Sequence, residues 1–161
     1  MSLPYYQTLL SEPLAFWAAS CNEQACPELV RVNGVDATSF PELTFFIPEV
    51  FAKRFIATLN PDAQLALLGT HIPTYNSFQY KGAFHSIRPC AEKEVQQQFD
   101  YVHKLTDIVD QLLGLSKQEV FDSIFFQPSY AVHLIVTDVF NQTPGKGAGQ
   151  SEILKPIRQH D

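Results

Sequence analysis

The sequence predicts an α+β protein, mainly β: a barrel or sandwich with helices packed on it. Three observations lead there. Short segments that alternate apolar and polar residues, or are β-branched and aromatic, recur between residues 14 and 140, bounded by Pro, Gly, Asn or Asp. One long stretch, 92–113, instead repeats its apolar residues at three- and four-residue steps. The resulting order is a set of strands with one helix after the third and two before the last, which implies many non-local pairings.

At 161 residues, 45% of them apolar, the chain is one domain with a full core, spanning 1–161. Its 17 acidic and 11 basic residues leave a net charge of −6. Such a surface repels nucleic acid and anionic lipid, so neither is an expected partner. A phosphorylated ligand would then need a local cluster of cations or backbone amides. No long apolar run and no basic-then-apolar start is present, so a cytoplasmic protein is expected. Cys21, Cys26 and Cys90 read as free thiols. Four residues separate the first two, which is not metal-ligand spacing, and no metal site is expected.

Residues 1–13 read as an arm, irregular or briefly helical. In 14–20 the alanines favour helix, whereas Phe16 and Trp17 suit a strand, and the run is too short for periodicity to decide. Residues 29–35 alternate, with Val30 and Val32 opposite Arg31 and Asn33. Gly34 is kept inside that strand, at a bulge, because 36–41 is the better turn and 43–47 the better partner. Pro48 suits the first turn of a helix whose apolar face is Phe51, Phe55, Ile56 and Leu59 and which Asn60–Pro61 ends. Residues 63–69 form the next strand.

The stretch 70–82 follows. Pro73 marks a turn; from Ser77 the period becomes two, with Ser77, Gln79 and Lys81 on one face and Phe78 and Tyr80 on the other. That face offers a hydroxyl, an amide and a cation, and Gly82 after it lets another group approach the backbone closely. The strand runs to about residue 87. The helix over 92–113 is expected to bury Val95, Phe99, Val102, Leu105, Val109 and Leu112, and Gly114 to end it. Ser116 to Glu119 is a capping box for a second helix, Pro128 forbids its continuation, and 130–140 is the last long strand. A Pro/Gly loop, 142–149, leads to a tail, 150–161, expected to be mobile.

Two strings carry a family resemblance. TYNSFQYKG at 74–82 and FNQTPGKGAG at 140–149, in this order with helical sequence between them, resemble a small subgroup of the pyridoxamine 5′-phosphate oxidase-like flavoproteins. The resemblance covers roughly 14–150 and makes 14–20 a strand. It implies a six-stranded split β-barrel with flanking helices. It also implies a homodimer with FMN bound across the subunit interface, and an oxidoreductase of unspecified substrate and electron donor.

Carried onto this chain, it makes Thr74, Ser77, Gln79, Lys81, Gln142 and Thr143 cofactor-binding candidates, with Arg31 on the second strand. Lys53 matches the family's phosphate-binding lysine. Ala52 stands where an arginine belongs, and Arg54 is the candidate substitute. Ser77 replaces a flavin-contacting glutamine. The end of the chain lacks the arginine- and tryptophan-rich segment that recognises pyridoxal phosphate, so that substrate is not expected. No catalytic residue is assigned, although His71 is a possible proton relay. Two rival readings stay open: a flavin- or haem-binding module without turnover, and a dimeric scaffold that has lost its cofactor.

Overall fold

The computed structural model describes residues 3–21 and 23–152. Most of the expected tail, with His160, lies outside them. Among the described residues, eight strands form one antiparallel sheet: β1 (Ala15–Cys21), β2 (Pro27–Val32), β3 (Val35–Ser39), β4 (Glu42–Pro48), β5 (Gln64–Thr70), β6 (Ser77–Pro89), β7 (Ser129–Asn141) and β8 (Ser151–Glu152). Their order is β2-β1-β5-β6-β7-β4-β3, with β8 on β7. The helices are α1 (Tyr5–Thr8), α2 (Glu49–Ile56), α3 (Glu92–Leu113) and α4 (Lys117–Ile124).

Two hydrogen bonds turn this path into a split barrel. Asn33 N–H donates to Phe46 O (2.8 Å), and Phe46 N–H donates to Gly34 O (3.1 Å). β2 and β3 are thus two halves of one bent strand that changes partner, from β1 to β4, at Asn33–Gly34. Counted this way, the ring has the six strands expected, and β8 is an addition. Gly34 permits the bend: its φ is +121°, and a Cβ there would meet the Tyr101 ring at 3.4 Å. Ser151 and Glu152, assigned to the tail from sequence, instead pair with Phe140 and Val139.

The barrel is filled by its own side chains. Val30, Val32, Phe45, Ile47, Leu67, Tyr80 and Leu134 point inward and are buried. The N-terminal arm plugs one end with Tyr6, Leu9 and Leu10, and Tyr80 donates its hydroxyl to the Tyr6 carbonyl. α2 packs against β2 and β4 and buries Phe55. Each large apolar side chain so enclosed contributes about 1.5–3 kcal/mol.

α3 differs from its expected phase. Val102 and Leu105 are buried as expected, but Phe99 is 39% and Leu112 50% exposed. Glu94, Gln98 and Thr106 are buried in their place. Polar partners rotate the helix: Gln98 Nε2 donates to Ser129 Oγ (3.0 Å), and Glu94 holds Arg88. The displaced apolar side is covered in part by α4, whose Phe121 meets Phe99 edge to face and lies tilted against His103. Gly114, at φ +65°, ends α3, and Ser116 caps α4 by accepting from Glu119 N–H. Among the described residues, no helix is long and apolar enough to cross a membrane, and no group of His, Cys, Asp and Glu could hold a metal ion.

Candidate functional site

Alternation sends every second residue of β1, β2, β5, β6 and β7 to the outside of the barrel, and the register aligns these residues into rows. One row runs Arg31, Trp17, Leu68, Gln79, Phe140. The next runs Leu29, Ala19, Ala66, Lys81, Asp138. With strands ~4.8 Å apart, each row spans roughly 19 Å. A hollow of about 390 Å³ lies over the second row, lined by Ala19, Ala66, Lys81 and Asp138 with Cys21 and Gln64 at its side. That volume is in the range of small-molecule sites.

Arg31 is the unusual residue of this face. Its guanidinium is half-buried, and its Nε is buried without a hydrogen-bond partner. It lies over the Trp17 ring, 5.8 Å from the centroid. Burial pushes it below the ordinary arginine value, with Tyr101 opposing. Arg54 and Arg88 each hold a carboxylate, whereas Arg31 holds none among the described residues.

Gln79 and Lys81 share the face with Arg31. Gln79 is half-buried and its amide makes no side-chain hydrogen bond among the described residues. Lys81 is exposed, its Nζ 4.8 Å from the centre of the Phe140 ring.

Ser77, Thr143 and Gln142 come together differently. Ser77 N–H donates to Thr143 Oγ1 (3.0 Å), and Gln142 N–H donates to Ser77 O (2.8 Å). Ser77 is buried; its hydroxyl donates to the Tyr75 carbonyl (2.9 Å) and lies 3.0 Å from the Thr70 hydroxyl. The two sequence strings therefore meet as a latch between the 70–77 turn and the 142–149 loop. The polar atoms of Ser77 and Thr143 bind each other instead of facing the hollow. Thr74 is exposed on that turn, with its hydroxyl 2.8 Å from His71 Nδ1. This contact gives His71 a role in shaping the turn.

Lys53 and Arg54 sit in the last turn of α2, where the helix dipole favours cations but offers an anion no amides. The N-terminus of α2 carries Glu49, which accepts from the Tyr130 hydroxyl (2.8 Å). Arg54 is committed to Glu28: its Nη2 lies 2.6 Å and its Nε 3.1 Å from Oε1. Of the two cations that the resemblance assigns to the phosphate, Lys53 alone makes no ion pair among the described residues.

Sequence reasoning missed Trp17, Cys21, Gln64 and Asp138. Alternation in 15–21 would have placed Trp17 and Cys21 on one face once the strand was accepted. What set Trp17 beside Arg31 was cross-strand register, which sequence does not carry.

Fold and site together define an open-sided split barrel with an apolar, cation-edged outer face. No protein-family model and no curated protein matches the chain. Among solved structures, it resembles HupZ of Group A Streptococcus at 11% identity, over 92% of this chain and 100% of that one, with a TM-score of 0.52. It also resembles an F420 reductase (15% identity, 86% and 98% covered, TM-score 0.48). A third is a pyridoxamine 5′-phosphate oxidase-related, FMN-binding protein of Nostoc punctiforme (13% identity, 91% and 89% covered, TM-score 0.44). At these identities the likeness is one of fold. The chain has a split-barrel fold; the assignment rests on its strand order and on the HupZ superposition.

Proposed function

We propose that the chain binds FMN on the outer face of this sheet and works as a homodimeric, flavin-dependent oxidoreductase on a small-molecule substrate or electron donor. The unpaired, half-buried guanidinium of Arg31 carries the reading. A cation taken partly out of water without a counter-ion is costly, and a phosphate monoester supplies both the charge and the acceptors it lacks. The rest of the face fits the ligand. Ala19 and Ala66 form a flat apolar floor, and Lys81 and Gln79 bring donors to its rim. Arg31 lies about one pleat repeat, ~7 Å, along the strands from that floor and one strand to the side, within reach of a ribityl chain.

When bound, the flavin supplies the redox chemistry, passing electrons between a reduced nicotinamide or similar donor and an acceptor. The chain's residues bind and orient: Arg31 anchors the anionic tail, and Gln79 and Lys81 reach the polar edge of the ring. A second copy over the face excludes water.

The test is FMN titration of the purified protein, followed by absorbance and thermal stability. FMN at a hundredfold excess over its Kd raises stability by about 2.7 kcal/mol. Arg31→Ala weakens binding roughly 10- to 100-fold, the worth of a charge-assisted contact. Arg54→Ala, removing a cation already committed to Glu28, leaves binding unchanged. A protein that stays colourless and gains no stability from FMN refutes the proposal.

A further inference from the structure

We infer that Trp17 is a further binding residue of this site, one that positions Arg31 and gives the flavin ring an aromatic wall; the inference rests on the flavin reading above. Trp17 is the chain's one tryptophan, and it is 42% exposed on the outer face of β1. An indole so placed serves no core contact, since its strand neighbours Phe16 and Ala18 are the residues that point inward.

Its register partners are Arg31 on one side and Leu68 on the other. The Arg31 guanidinium carbon lies 5.8 Å from the indole centroid, within cation–π reach. With no carboxylate to fix Arg31 among the described residues, this ring is the contact that faces its guanidinium across the strand pair, with Tyr101 acting on it only electrostatically. Two residues along β1, Ala19 opens the hollow. Trp17 thus stands between the cation and the floor, where a planar ring whose tail reaches Arg31 must pass it. Its π face complements the electron-poor ring, and its hold on the guanidinium sets where the phosphate sits.

Fluorescence tests this, because a stacked indole darkens bound flavin only at contact range. The variants are Trp17→Leu and Trp17→Phe, each checked for native circular dichroism. FMN bound to the wild type is expected to lose most of its green emission. On Trp17→Leu the emission of the bound fraction returns and Kd rises about 5- to 10-fold, while Trp17→Phe keeps affinity within about threefold. Sedimentation is expected to show the same assembly state in all three proteins. If Trp17→Leu leaves either the emission or the affinity of bound FMN unchanged, the inference falls and the flavin reading stands. Loss of flavin together with loss of the dimer also overturns it, since Trp17 would then serve the subunit contact. Failure of the wild type to bind FMN removes both proposals at once.

Discussion

Glu94 shows how much one buried carboxylate does in this protein. Its Oε1 accepts from Arg88 Nη2 (2.7 Å), and its Oε2 accepts from Arg88 Nη1 and from Ala91 N–H (both 2.7 Å). It therefore ties the end of β6 to the first turn of α3 and caps that helix. The Arg88 hydrogen bonds hold the carboxyl below its ordinary value, against the opposing effect of burial. A carboxylate depressed on folding stabilises the protein above its unfolded pKa of ~4.3, and that stabilisation is lost as pH falls through the lower folded value. Glu94→Gln is expected to cost about 1–2 kcal/mol at pH 7, a bidentate pair discounted because Arg88 is half in water. In urea titrations the gap between variant and wild type should close as the pH drops below ~4; a gap that persists there refutes the ion-pair account. None of this was legible beforehand. The apolar period of 92–113 located the helix but put Glu94 off its buried face, because periodicity counts apolar residues and is blind to a polar one with a partner. Arg31 was legible as a strand cation; that it holds no carboxylate among the described residues was not, since Glu28 goes to Arg54 on α2, 26 residues away.

Between elements, the controlling contact is that of β6 with β7. Gly82 lies at a register shift between the two strands, where a Cβ would stand 1.9 Å from the Ile135 carbonyl oxygen. The neighbour is backbone, so it cannot swing aside. Gly82→Ala should therefore force the strands apart and lower stability by more than about 3 kcal/mol, read as a collapse of the melting temperature or loss of soluble protein. A variant that melts within a few degrees of wild type would show that the bulge relaxes freely. Sequence had marked Gly82 as a point of close backbone approach and Gly34 as a bulge inside a strand, and both roles hold. Those two were readable because glycine inside an alternating strand has few other uses. The latch of Ser77 with Thr143 was half readable: the paired strings brought both residues forward together, but as ligand contacts and not as partners of each other.

For the whole molecule, the succession of strands and helices along the chain follows from the pattern of turns and periodicity, whereas the order of strands in the sheet does not, and the association of two copies has to be argued from surface. The row beyond the proposed flavin contact at Trp17 carries Leu29 at 62% exposure, in line with Ala19 and Ala66. An exposed leucine on an otherwise small-residue face is the place where a second copy is expected to sit. In a two-fold dimer built on it, each copy contributes the same face, so a single substitution acts twice. A chain of 18.2 kDa is then expected to sediment at about 36 kDa. Leu29→Glu sets like charges against each other across the axis, or buries a charge in an apolar contact; either costs several kcal/mol of association and none of the barrel interior. The variant should sediment near the monomer mass, keep a native circular dichroism spectrum, and bind FMN weakly because water now enters the hollow. If Leu29→Glu remains a dimer, the subunits meet elsewhere; if the wild type is itself monomeric at micromolar concentration, one face alone must hold the ligand.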